Sequence, residues 1–121
     1  MRILVVDDEK VHRDRLLAVL AKADHTTVEA GSGREAIEVL EREPIDLVVT
    51  DVVMPDMDGI ELVRRIKRDF EGVESIVLSA SDYSQDAVFL KMARKLGADA
   101  AFKKSVSPEE LRLILDTFER R

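Results

Sequence analysis

Four short apolar runs, each followed at once by a charged or hydroxyl-bearing residue, constrain what this chain can fold into. Ile3 to Val6, Leu47 to Val49, Ile76 to Leu78 and the weaker Ala100 to Phe102 show little polar alternation. That is the pattern of strands covered on both faces. A fifth segment, Thr26 to Ala30, sets Thr and Val among polar neighbours and reads as an edge strand. The intervening segments have helical spacing. Leu111, Ile114, Leu115 and Phe118 make one apolar stripe, and Ile60, Val63, Ile66 and Phe70 make another. Ser32 with Glu35, Asp58 with Glu61, and Ser107 with Glu110 are spaced as capping boxes, the last followed by Pro108. They predict helices starting near residues 33, 59 and 108, and Gly97 after Leu96 predicts a left-handed stop for the fourth helix.

Strand and helix thus alternate five times without repeats or linkers, which calls for a parallel sheet with helices on both faces. The expected fold is a doubly wound α/β domain over residues 1–121, with five helices and a five-stranded sheet in the order 2-1-3-4-5. The length of 121 residues with 45% hydrophobic content supports one core and is short for two. The chain has no cysteine, no charged leader before an apolar stretch and no apolar run of bilayer length. The expectation is a cytoplasmic protein without membrane association. A net charge of -6 argues against a nucleic-acid surface, which rests on clustered Lys and Arg.

The polar residues that end the apolar runs carry the chemistry. Asp7 and Asp8 follow Val6, Asp51 follows Thr50, Ser79 follows Leu78, and Lys103 and Lys104 follow Phe102. In a parallel sheet these strand ends share one edge, where open α/β folds place ligands. Three carboxylates gathered there repel: two unit charges at about 4 Å cost on the order of 4 kcal/mol at an effective dielectric near 20. A divalent cation relieves this, and hard oxygen ligands with room for water suit Mg²⁺ (or Mn²⁺) better than zinc. A lysine beside metal and carboxylates points to a phosphate oxygen, and a carboxylate can itself attack phosphorus. Taken singly, each residue has an ordinary explanation: Asp7 or Asp8 as a helix cap, Asp51 as a turn residue, Lys104 as a solvated charge. Their joint placement at the strand ends does not. His12 and His25 read as surface residues without a role, Met54, Met57 and Met92 as packing, and Arg64 to Asp69 as the solvated face of a helix.

The chain resembles the receiver domains of two-component response regulators over essentially its full length. The matching residues are Val5 to Glu9, the very specific run Asp51-Val52-Val53-Met54-Pro55-Asp56-Met57-Asp58-Gly59, then Leu78-Ser79-Ala80, and Gly97-Ala98-Asp99 leading to Lys104. The resemblance implies that Asp51 is the phosphoacceptor. Asp7, Asp8, Asp51 and the Val53 backbone carbonyl would hold Mg²⁺, and Ser79 and Lys104 would bind phosphoryl oxygens. Lys104 is chosen over Lys103 because family members usually carry Lys-Pro here, and Ser105 aligns with that proline. A cis bond before a non-proline residue costs about 3 kcal/mol, so the isomer of the Lys104–Ser105 bond stays open. Val53 and Ser81 stand at positions that in the family influence hydrolysis of the acyl phosphate. Neither is an acid or base, which implies a phosphoryl lifetime without fast self-hydrolysis. Ala101 replaces an aromatic whose ring in many members turns inward, and Phe102 points to the opposite strand face. Switching is therefore expected through the loops after Ser79 and Lys104.

The implied partners are a histidine kinase or histidine phosphotransfer protein upstream, and a separate effector or fused output domain downstream. The implied binding face comprises the fourth helix, fifth strand and fifth helix, which also offers a homodimer surface. The protein would then be a regulator and not an enzyme. Two rivals stand beside this. A haloacid-dehalogenase-like phosphatase also uses an aspartyl nucleophile, but needs a second Asp where Val53 stands. A receiver acting by phosphorylation-independent binding usually lacks an acidic-pocket residue or the phosphoacceptor, and this chain keeps them all.

Overall fold

The computed structural model describes residues 1–79 and 84–120. Its elements run β1 (Arg2–Val6), α1 (Lys10–Lys22), β2 (Thr26–Ala30), α2 (Gly33–Arg42), β3 (Leu47–Asp51), α3 (Gly59–Asp69), β4 (Glu74–Ser79), α4 (Ser84–Lys95), β5 (Ala100–Lys103) and α5 (Pro108–Glu119). All strand pairings are parallel, and the sheet order is β2-β1-β3-β4-β5. This is the architecture expected from the alternation of apolar runs and helical stripes.

Side-chain alternation sorts each strand between two faces. Ile3 and Val5 of β1 pack with Leu20 of α1 and with Leu111, Leu115 and Phe118 of α5. Leu4 and Val6 face the other way, against Ala36 and Val39 of α2 and Leu62 and Ile66 of α3. Val52, Ile60, Val63, Val77, Ala93 and Ala98 fill the space between α3, α4 and the sheet. Because β1 is covered on both sides, Ile3 to Val6 are fully buried, which explains the unbroken apolar run. Edge strand β2 leaves Thr26 and Glu29 exposed, as its mixed sequence requires.

The three capping signals act where they were read. Ser32, Asp58 and Ser107 are N-caps whose side-chain oxygens accept from the backbone N–H of Glu35, Glu61 and Glu110. Gly97 lies just beyond α4 with φ +127°, and a Cβ there would come within 3.0 Å of the Lys67 side chain. The Lys104–Ser105 peptide is trans.

Two expectations fail. His25 is not a surface residue: its side chain is 3% exposed. A left-handed turn at Asp24 (φ 63°) folds it back, so that Nδ1 lies 3.2 Å from the N-terminal amine and 3.6 Å from Glu119. Met92 is 43% exposed and lies outside the core, because it shares with Val88 of α4 and Leu96 just past its end a row turned to solvent.

Candidate functional site

The carboxyl ends of the inner strands form the site. Register aligns Val6 with Thr50, Asp51 with Leu78, and Ser79 with Lys103, so Asp7 after β1, Asp51 and Ser79 at the ends of β3 and β4, and Lys104 after β5 lie along one edge. Asp7, Asp8 and Asp51 each present a carboxylate oxygen within 4.8 Å of the others. Asp7 and Asp51 are buried, whereas Asp8 is exposed and leaves the cluster open to water.

Local bonds aim each carboxylate. Asp7 Oδ1 accepts the Glu9 N–H at 2.9 Å, which leaves Oδ2 facing the cluster. The Asp7 backbone is held on both sides, its N–H by the Ala30 carbonyl at 3.2 Å and its carbonyl by the Arg13 guanidinium at 2.7 Å. Asp51 Oδ1 accepts the Val52 N–H at 2.8 Å, and Thr50 Oγ1 donates to the Asp51 carbonyl at 3.0 Å. Gly59 is required here. An added Cβ would fall 2.0 Å from the Asp51 carbonyl oxygen, so the start of α3 reaches its place against β3 only without a side chain.

Lys104 enters from the end of β5, where its N–H donates to the Ser79 carbonyl at 2.6 Å. Its ammonium lies 2.7 Å from Asp7 Oδ2 and 3.2 Å from Asp51 Oδ2. Lys103 is exposed, so of the two adjacent lysines Lys104 is the one in the cluster. Burial raises the Asp51 pKa above the ordinary carboxylate value; Lys104 opposes that shift and Asp7 adds to it. Burial works against the Lys104 ammonium, but its bond to Asp7 and the charges of Asp51 and Asp7 outweigh it and leave its pKa above the ordinary lysine value. The single ammonium therefore compensates the buried acids incompletely. A set of oxygen donors this close, open to water on the Asp8 side, fits Mg²⁺ or Mn²⁺.

The remaining expected residues divide as follows. Ser79 is 3% exposed at the end of β4. The Val53 side chain is 73% exposed beyond Asp51. Ala101 is half-buried against the cluster of Val52, Val77 and Ala98, while Phe102 packs on the opposite face with residues of α1 and α5. Ser81 lies outside the described residues. One residue given no role from the sequence belongs to the site: His12, on the first turn of α1, places Nδ1 3.0 Å from the Lys104 ammonium. No local motif marks it, because the contact joins α1 to the end of β5.

The family profile for the response regulator receiver domain matches residues 3–116. The chain belongs to this family. Among curated relatives, this receiver domain is 32% identical over 111 residues to sporulation initiation phosphotransferase F of Bacillus subtilis, covering 92% of the chain and 87% of that protein. It is 33% identical over 120 residues to the Bacillus subtilis alkaline phosphatase synthesis transcriptional regulatory protein PhoP, covering 99% of the chain but only 49% of PhoP. The receiver domain thus spans less than two thirds of several relatives it matches, and as little as 12% of one sensor kinase. A crystallised response regulator receiver domain protein from Clostridium thermocellum superposes with a TM-score of 0.90 at 26% identity, covering 99% of this chain and 94% of that one. Among the described residues, no helix of the receiver domain is long and apolar enough to cross a membrane.

Proposed function

We propose that this receiver domain is a phosphorylation-dependent switch in which Asp51 accepts a phosphoryl group from the phosphohistidine of a kinase or phosphotransfer protein. The observation that carries the reading is the convergence of Asp7, Asp8 and Asp51 within 4.8 Å, with the Lys104 ammonium against two of them. Bound by these carboxylates and the Val53 carbonyl, Mg²⁺ or Mn²⁺ would supply positive charge to the phosphoryl oxygens in a loose transition state.

The chain's own residues do the rest. An Asp51 carboxylate oxygen forms the new O–P bond while the donor's N–P bond breaks and the leaving imidazole takes up a proton. Lys104 balances the charge of the transferred group, and Ser79, buried at the end of β4, would bond a second phosphoryl oxygen. Val53 and Ser81 bring no acid or base to the acyl phosphate, which favours a long-lived product. Because the backbone of Lys104 is tied to Ser79, movement of either residue toward the phosphoryl group is coupled to the other. The face formed by α4, β5 and α5 carries the output. Val88 and Met92 of α4, with Leu96 just beyond its end, expose apolar side chains, 61%, 43% and 38% accessible, which suits an effector, a fused output domain or a second copy of the chain.

The test is incubation with acetyl phosphate, with and without Mg²⁺, followed by intact mass and site mapping. One added phosphoryl group on Asp51, dependent on Mg²⁺ and lost in Asp51→Asn, is the expected result. Turnover of p-nitrophenyl phosphate without a stable adduct would instead favour a phosphatase.

A further inference from the structure

Lys104 carries three N–H donors, and three acceptors surround them: Asp7 Oδ2 at 2.7 Å, Asp51 Oδ2 at 3.2 Å and His12 Nδ1 at 3.0 Å. The third differs in kind. A proton on Nδ1 would set one donor against another at that distance, so the contact requires a bare lone pair on Nδ1 and the imidazole proton on Nε2. The other carboxylates near Nδ1 lie beyond hydrogen-bond range, Glu9 Oε2 at 3.7 Å and Asp7 Oδ2 at 3.9 Å.

We propose that His12 is a positioning residue whose Nδ1 lone pair keeps the Lys104 ammonium at Asp51 when the carboxylates are engaged elsewhere; this rests on the reading of Asp51 as phosphoacceptor. The two charged acceptors are the ones that phosphorylation disturbs. Asp7 Oδ1 is already committed to the Glu9 N–H, so Oδ2 must serve both Lys104 and any cation in the cluster. Attack on phosphorus takes an Asp51 carboxylate oxygen into the new O–P bond, so during the transfer Lys104 must pass from that carboxylate to an oxygen of the arriving group. A hard cation prefers oxygen and leaves the imidazole alone. Lys104 also has somewhere to go. A cleft of about 290 Å³, lined by Arg15, Leu16, Leu78 and Ser105 as well as His12 and Lys104, adjoins it. A long flexible side chain not held on that wall gains rotamers by moving away from Asp51.

The first readout needs neither metal nor phosphoryl donor. In chelator-treated protein, ¹⁵N NMR of the imidazole is expected to show the Nε2–H tautomer with an acceptor-type Nδ1 shift, which moves to that of a free lone pair in Lys104→Met. The second compares initial rates of phosphorylation by acetyl phosphate at saturating Mg²⁺. His12→Leu keeps the bulk and loses the acceptor, and is expected to slow the reaction on the order of fivefold, as befits one partly exposed hydrogen bond to a charge. His12→Asn places Oδ1 where Nδ1 was and is expected to recover most of the rate. Wild-type protein that takes up no phosphoryl group would overturn the reading of Asp51 and this proposal with it. Normal phosphorylation with Leu as fast as wild type, with Asn as slow as Leu, or with an Nδ1 shift indifferent to Lys104→Met, would overturn the role of His12 alone.

Discussion

Replacing Lys104 with Met in metal-free protein isolates the electrostatics of the site. Its ammonium lies 2.7 Å from Asp7 Oδ2 and 3.2 Å from Asp51 Oδ2, attractions of about 6 and 5 kcal/mol at an effective dielectric near 20. Desolvation of the buried groups cancels most of that sum, and what remains is the cost of stranding two carboxylates, about 3–5 kcal/mol for a buried pair. Lys104 is 15% exposed and the cluster opens to water at Asp8, so the lower end applies, about 3 kcal/mol. The companion variant Asp51→Asn has the opposite sign. Burial raises the Asp51 pKa in the folded state above its ordinary value of 3.8, so the folded protein holds this proton more tightly than the unfolded chain. Ionised Asp51 therefore costs stability at neutral pH, and that cost disappears as pH falls through the folded value toward 3.8. Urea unfolding followed by circular dichroism in the presence of a chelator, from pH 7 down to pH 4, measures both. Lys104→Met is expected to be less stable than wild type and Asp51→Asn more stable at pH 7, with both differences shrinking in acid. A neutral Lys104→Met, or an Asp51→Asn that loses stability at pH 7, would refute the reasoning.

Added Mg²⁺ at ten times its dissociation constant is expected to stabilise the wild type by about 1.4 kcal/mol, or roughly 5 °C in Tm, and to do much less for Asp8→Asn or Asp51→Asn; thermal melts with and without chelator decide it. Gly59→Ala places a methyl group 2.0 Å from the Asp51 carbonyl oxygen and is expected to cost about 2–3 kcal/mol in urea unfolding, because backbone must move. Val53→Glu installs a carboxylate at an exposed position beside the site and is expected to shorten the lifetime of phosphorylated protein followed by mass spectrometry; an unchanged lifetime would show that Val53 has no part in setting it.

The legible parts of this molecule were those whose cause is local. Ile3 to Val6 lacks polar alternation because β1 is buried on both faces, and Ser32, Asp58 and Ser107 announce their helices because a cap needs only residues three apart. The acidic cluster was legible one step further on, because a parallel sheet brings every strand's carboxyl end to one edge. Contacts between elements were not. His12 meets Lys104 across 92 residues, which depends on how α1 seats beside the end of β5. His25 is buried through a left-handed residue at Asp24, an uncommon conformation for a non-glycine residue. Met92 occupies the outer row of α4, which apolar spacing alone does not separate from the inner one.

A crystal structure of the chain with Mg²⁺ and beryllofluoride, a mimic of the phosphoryl group, tests the central claim most directly. The expected density shows beryllium bonded to an Asp51 carboxylate oxygen in the place of phosphorus, the metal held by Asp7, Asp8, Asp51 and the Val53 carbonyl, and Lys104 and Ser79 on fluorine atoms. Density with Asp51 unmodified, or with the metal and Lys104 away from it, would contradict the account.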